Sequence, residues 1–517
     1  MKKLLCILLI LSLAAGCSGK TPEPTPQETT AAETTSGDVF NPPDKQQPSL
    51  FGVAFCPGEG PYNPITDTVT ANRGYISLVY DGLFALDEGY MTHYRLCESY
   101  ETSGKTLNIK LRQDARFHDG SPVTAEDVVY SLELAADSDR SGYTSRLSEV
   151  VSVEGVDDYT VRITLARERG NFIALLDIPI IRKGSGVSED AVGCGRYIPI
   201  VGDEGGYLIV NTDYYGEENS GDIEYMSITE VADTEALLYA FSASTIDLMT
   251  HGGIEDSSGV LADADRYTVN TSRLHFVLFN SKKLTSASVR LALTKAIDRS
   301  RVYPSGVHPR TSLFPEWTEF SNEEVTSSIC GYDRTSAAEL LTEAGYSLEA
   351  GYWTDGKGKR LSLTLVGLDD GGSERAAAED IAAQLKFFGV EVKLDLASAE
   401  ECAAKLKKGS FDIALCKTRL SADFDFSFLL SSQNSSAFGR LADSELDAVL
   451  SSFAAARPGS GRLLAGVLGR AVAEKCPLAV IGYEYSYVYI NRRYGISGVR
   501  VTEADPFYSV GVWTEGR

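Results

Sequence analysis

Short apolar runs and polar breaks alternate along this chain in the pattern of a large α/β protein. Leu107, Ile109 and Leu111 alternate with Asn108, Lys110 and Arg112, which predicts a strand with one wet face. Asp119-Gly120 and Ser121-Pro122 then break the chain as turn residues do. Thr124, with Asp127 three residues on, predicts a capped helix whose apolar side is Val128, Val129, Leu132 and Leu134. Residues 107–134 therefore make one compact packing unit, and none of its polar groups is arranged for catalysis.

The same reading extends along the chain. Strands are expected at residues 50–55, 207–215, 245–249 and 273–280, and a hairpin pair at 151–157 and 159–165 around Asp157-Asp158. Helices are expected at 75–84 (breaking at Asp81-Gly82), at 235–241 behind Asp233, and at 289–301. Another runs from the cap Asp333 to the stop Gly345. Residues 361–416 then read strand, helix, strand, helix, strand, the signature of βαβ units on a partly parallel sheet. Helices at 446–453 and 461–474 follow, then a strand within 478–491, and an ordered end at 498–513. The glycines around residues 193–195 invite a phosphate-loop reading, but no Lys-Ser/Thr follows, so close backbone packing is expected there.

The first residues are expected to be a targeting segment. Lys2 and Lys3, the apolar run at 4–15 and the small residues before Cys17 read as a signal peptide over residues 1–16. Ala14-Ala15-Gly16-Cys17 resembles a bacterial lipobox, which implies a diacylated Cys17 at the mature N-terminus. Each buried methylene of such a lipid adds roughly 0.8 kcal/mol, so Cys17 would hold the chain to a membrane. The remainder of residues 17–49 is rich in Pro, Thr and Glu with no apolar period, as a disordered tether is.

Composition narrows the function. At 517 residues the chain exceeds one ordinary core and implies two or three domains. A net charge of −24 argues against nucleic acid as a partner. Seven cysteines follow Cys17, an odd number at scattered spacing, and they read as small buried hydrophobes. Neither they nor the five histidines show metal-ligand spacing, so no metal or other cofactor is expected. Hydrolase, zinc-protease and nucleotide-loop motifs are absent, and no catalytic residue is assigned.

The run LRQDARFHDGSPVTAEDVVYSL, with Leu111, Arg112, Phe117, Asp119, Gly120, Pro122, Thr124, Ala125, Asp127 and Val128 in register, resembles the signature of extracellular solute-binding family 5. These are the peptide- and nickel-binding proteins of ABC importers. Two further stretches resemble the family: Val289-Arg290 with Ala296-Ile297-Asp298-Arg299, and Tyr332-Asp333 through Ala344-Gly345-Tyr346. The resemblance implies a two-lobed α/β fold of the periplasmic-binding-protein kind, with a hinge and an extra subdomain. Lobe one would be residues 50–272 plus 491–517, the subdomain 63–183, and lobe two 273–490. The hinge would lie in crossings at 274–280 and 483–490.

It also implies a monomeric receptor that closes on a peptide or other small solute and docks on an ABC permease. A surface ligand sensor or adhesion module on the same fold is the alternative, and a hydrolase a remoter one. Ligand contacts are implied in the loops 306–315 and 417–428, hence His308, Arg310, Lys417, Arg419, Asp423 and Asp425. Asn63, which opens the loop where the family has Asp-Pro, joins them. Peptide-binding members commonly place an ammonium-pairing aspartate in the second loop. Here that place falls to Leu420, with Lys417 and Arg419 nearby. The two cations suit an anionic group; alternatively they face solvent or pair with Asp423 and Asp425, or Asp423 itself is the anchor.

Overall fold

The computed structural model describes residues 50–67, 69–137, 141–202, 205–216, 221–254, 263–435, 437–457 and 459–516. The leader, the lipidated Cys17 and the tether expected at residues 1–49 lie outside the described residues.

The 107–134 unit folds as its pattern requires. Leu107, Ile109 and Leu111 are 2% exposed or less and join Val161, Ile163 and Leu165 of the neighbouring strand in one core. Four antiparallel strands, Cys97–Ser103, Thr106–Leu111, Thr160–Leu165 and Val150–Asp157, carry the helix Ala125–Asp137 on one face. Its N-terminus is a one-sided version of the expected box. Asp127 reaches back to the Thr124 N–H at 2.9 Å, but the Thr124 hydroxyl donates to Asp127 rather than accepting from the helix. Asp127 also accepts from the Lys183 N–H at 2.8 Å, which ties the helix to a later loop.

A second four-stranded sheet has the order Phe51–Phe55, Tyr225–Glu230, Gly205–Val210, Tyr197–Gly202. The chain end returns to it: Trp513 is fully buried, with Phe51 and Phe507 at 6.1 and 5.5 Å between ring centres. The glycines before it pack as expected, since a Cβ at Gly193 would lie 2.1 Å from the Val79 carbonyl oxygen.

The third sheet is mixed. Its order is Leu248–Gly252, Leu478–Asn491, Ala264–Phe279, Ile413–Arg419, Ser362–Leu368, Glu391–Ala397, with Val307–Pro309 added beside Leu478–Asn491. Ser362–Leu368 is parallel to both Glu391–Ala397 and Ile413–Arg419, the expected βαβ arrangement. The strand expected at 273–280 starts much earlier, at Ala264, because it pairs along nearly all of Leu478–Asn491. The strand expected at 245–249 is displaced to Leu248–Gly252. The helix expected at 289–301 is two helices, Ala287–Lys295 and Arg299–Val302. Asp298 divides them: it leaves the helical conformation and caps the second with its side chain on the Ser300 N–H.

Candidate functional site

Successive residues of a strand face opposite ways, so Arg273 and His275 share one face with Lys417 and Arg419, their direct partners across the ladder. Further along that face Val277, Phe279, Ile413 and Leu415 are core. The face thus turns from apolar to charged at the C-terminal end of Ile413–Arg419. Ligands of α/β sheets commonly sit beyond such ends.

Two charged groups meet there. In the first, Lys417 Nζ lies 2.9 Å from Glu374 Oε1 at the start of the helix Ser373–Phe387. Glu374 also accepts from the Tyr303 hydroxyl at 2.8 Å, and that hydroxyl is 2.9 Å from His275 Nδ1. His275 Nε2 lies 3.3 Å from Glu484, which accepts from Arg273 at 2.6 Å. Burial pushes the Glu484 carboxyl up, but His275 and Arg273 outweigh it and hold it below its usual range.

The second group is built around Glu503 from the returning C-terminal segment. Its carboxylate is 2.9 Å from Arg419 and accepts from the Tyr90 hydroxyl at 2.5 Å and the Ser272 N–H at 3.0 Å. Burial opposes its charge, yet Arg419, Tyr90, Ser272 and Arg273 together lower its pKa. Arg73, from the helix Arg73–Val79, reaches the Glu503 main-chain oxygen at 3.5 Å. The ladder between the two long strands is interrupted between Asn270 and Leu274, which lets Ser272 reach Glu503 while Arg273 reaches Glu484. Tyr90 and Phe424 pack at 5.5 Å, both at positive φ (61° and 52°), a conformation that costs side-chain-bearing residues on the order of 1–2 kcal/mol each.

Asp423 and Asp425 do not join these cations. Asp423 pairs with Arg169, and Asp425 lies 2.6 Å from Arg167 and 3.2 Å from Arg169. Glu149 completes the set at 2.8 Å from Arg167 and 3.1 Å from Arg169. Gly170 follows, its N–H on the Ala454 carbonyl at 2.9 Å and no room for a Cβ, which would lie 2.0 Å from the Ala456 oxygen.

His308 and Arg310 make contacts of their own, at the strand Val307–Pro309 whose first residue lies opposite Glu484 in the ladder. His308 stacks on Tyr485 at 4.5 Å, and burial, then Arg310, lowers its pKa. Arg310 pairs with Glu316, while its Nε and the Trp317 Nε1 are buried donors without an acceptor among the described residues. Asn63 organises its own loop: its amide donates to the Gly186 carbonyl at 3.2 Å and accepts from the Ile65 N–H at 3.0 Å. A hollow of about 810 Å³ lies elsewhere, between Arg334, Leu348, Trp353 and Phe387, and gathers no such convergence of charge.

Of the residues singled out in the sequence, the junction holds Lys417 and Arg419, with Asp423 and Asp425 in a clamp of their own. Glu503, Arg73, Glu374, Tyr303 and Arg169 were not foreseen. Arg273 and His275 in RLHFVLF, and Glu484 in IGYEYSY, were detectable as charged residues inside apolar strands. Nothing local marks Glu503 or Arg73.

Residues 92–439 match the model of the bacterial extracellular solute-binding proteins, family 5 middle region. The chain belongs to that family. It is 25% identical over 445 residues to the oligopeptide-binding protein AppA of Bacillus subtilis, covering 79% of this chain and 78% of that one. The nickel-binding periplasmic protein of Escherichia coli is 23% identical over 403 residues, covering 72% and 75%. The structure of HbpA2 from Haemophilus parasuis superposes with a TM-score of 0.76 at 21% identity, over 91% of this chain and 100% of that one. The fold is thus the two-lobed α/β fold that the motifs implied, and the protein is an extracytoplasmic solute-binding protein. No helix among the described residues is long and apolar enough to cross a membrane.

Proposed function

We propose that this protein is the lipid-anchored receptor of an ABC importer, which captures a peptide or peptide-like solute between its lobes and closes over it. On this reading it is a monomeric binding protein and not an enzyme. Residues 50–272 with 491–517 form lobe one and 273–490 lobe two, with 63–183 as the inserted subdomain. The observation that carries the reading is the convergence of charged groups from both lobes at the interrupted ladder. There Arg419, at the end of Ile413–Arg419 in lobe two, meets Glu503, Tyr90, Arg73 and Ser272 of lobe one, Ser272 lying on the long strand Ala264–Phe279. Short interruptions of this kind are where a hinge absorbs backbone rotation while each lobe stays rigid. The oligopeptide-binding name of the Bacillus relative supports a peptide as solute.

Two experiments test it. A thermal-shift screen of peptides, nickel chelates and oligosaccharides identifies a ligand, and small-angle scattering with that ligand is expected to register compaction. An unchanged profile with saturating ligand counts against closure. Cys17→Ser is expected to release the protein from the membrane fraction; a variant that stays as firmly bound as the parent removes the lipid anchor.

A further inference from the structure

We infer that the junction at the end of Ile413–Arg419 grips an oxyanion of the ligand, a carboxylate or a phosphate, with Arg73 as its principal donor beside Arg419 and Arg273. The inference rests on the receptor reading above and names the chemistry of its solute.

The argument begins with charge. The chain as a whole carries −24, so a place where cations outnumber acids has to be assembled from distant segments. At the junction four cations, Arg73, Arg273, Lys417 and Arg419, face three carboxylates, Glu374, Glu484 and Glu503. Three of the cations are each matched: Lys417 to Glu374, Arg273 to Glu484, Arg419 to Glu503. The fourth is not. Among the described residues, Arg73 has no carboxylate partner, and its one side-chain hydrogen bond is the long contact to a main-chain oxygen.

The surplus is costly to the folded protein. Burial, and then the like charge of Arg419 with that of Arg273 behind it, brings Arg73 down to about 10, against only the partial help of Glu503. A guanidinium held away from water without a counter-charge is unfavourable. An anion placed against it would remove that penalty. With one long hydrogen bond among the described residues, the Arg73 fork has donors to spare, and its geometry matches carboxylate or phosphate oxygens in pairs.

The surroundings suit the same occupant. Tyr143, which lies beneath Arg146 at 5.1 Å, stands close enough to Arg73 for each to shift the other's titration. Arg146 is matched by Asp177 and keeps an attraction for Glu503. A ligand ammonium would meet the opposite field: Glu374, Glu484 and Glu503 each already lie within ion-pair distance of a cation. Asp423, the alternative anchor raised from the sequence, is locked to Arg169 and 3% exposed.

The test uses the soluble full-length body and defined probes: N-acetyl-tri-alanine with a free carboxylate, its C-terminal amide, tri-alanine amide with a free amine, N-acetyl-Ala-phosphoserine-Ala amide, and citrate. Binding is measured by calorimetry on the parent, Arg73→Gln and Arg73→Lys. Free carboxylate or phosphate is expected to bind at least ten-fold more tightly than the uncharged amide, with that advantage lost in Arg73→Gln and partly kept in Arg73→Lys. The carboxylate and phosphoserine probes separate the two sources of the anion. Thermal melts accompany this: Arg73→Gln is expected to melt at or above the parent's temperature, whereas a structural role lowers it.

The inference is overturned if no anionic probe shows Arg73-dependent binding, or if the free-amine amide binds as tightly as the acids. Its failure is distinguishable from that of the receptor reading. Charge-indifferent peptide binding with compaction keeps the receptor and removes the oxyanion grip. Arg73-dependent binding of citrate alone keeps the grip and removes the peptide.

Discussion

Two groups of charge are anchored within nine residues of one another, at 417–425, and they are built on opposite rules. The clamp at Asp423 and Asp425 is closed: Arg169 and Asp423 are 8% and 3% exposed, and two arginines share three carboxylates with Glu149. The junction at Lys417 and Arg419 is open, those side chains being 47% and 35% exposed, and its partners leave one arginine unmatched. Satisfied, dry ion pairs specify an arrangement of the chain; an unsatisfied, half-wet cation leaves room for something else. Charged residues adjacent in sequence can therefore enter one closed set of ion pairs and one open one.

The comparison is most severely tested by breaking the clamp. Arg169→Ala leaves Asp423 buried without its partner and is expected to cost about 3–5 kcal/mol, read from the midpoint of a urea melt. Replacing Arg169 and Asp423 together by Met and Leu is expected to recover most of that loss. A small effect of the single variant would place the clamp among pairs of no structural weight.

On the open side, the C-terminal segment carries a second carboxyl, Asp505, which burial pushes up to about 6. A raised folded pKa contributes stability below the usual value of 3.8 that is lost as pH rises through 6. At pH 7 the ionised group therefore costs up to about 3 kcal/mol. Asp505→Asn is expected to raise the melting temperature at pH 7 and to leave it unchanged at pH 3.5.

Asp425 has the opposite sign. Burial raises it, but Arg169, Ser427 and Arg167 together hold it below 3.8. Its contribution is present above that value and is lost as pH falls through the lower folded pKa. Asp425→Asn is expected to remove on the order of 1–2 kcal/mol at pH 7, the gap to the parent narrowing in acid melts. The smallest effect is reserved for an exposed pair between the C-terminal segment and the loop before Tyr90. Arg500 lies 2.5 Å from Glu88 with the arginine 56% exposed, and Arg500→Ala is expected to cost under about 1 kcal/mol.

Local chemistry settled a good deal of this protein before any fold was known. The alternation at 107–111, the caps Asp233 and Asp333, the stop at Gly345 and the βαβ order at 361–416 are written in neighbouring residues. They reappear in the structure because hydrogen bonds and burial within a few residues decide them. The boundaries that shifted did so for non-local reasons. Ala264–Phe279 is longer than its apolar core because Leu478–Asn491 offers a partner along its length, and Asp298 splits a helix that its neighbours' periodicity would have continued.

The site divides along the same line. Lys417, Arg419, Asp423 and Asp425 were visible as charges following a buried strand, so their type belongs to the sequence. The loop expected from 417 begins only after Arg419, because the strand continues to pair with Ala264–Phe279 through Lys417 and Arg419. Which cation meets which acid does not. Arg419 is matched by Glu503 and Asp423 by Arg169, partners 84 and 254 residues away in a chain with 72 acidic side chains, where no single Glu stands out. Only the folding of the C-terminal segment back onto the strand Phe51–Phe55, with Trp513 and Phe507 packing on Phe51, brings Glu503 to the junction. Sequence fixes what a residue can bind; burial and proximity, which only tertiary structure supplies, decide what it has already bound and what it still lacks.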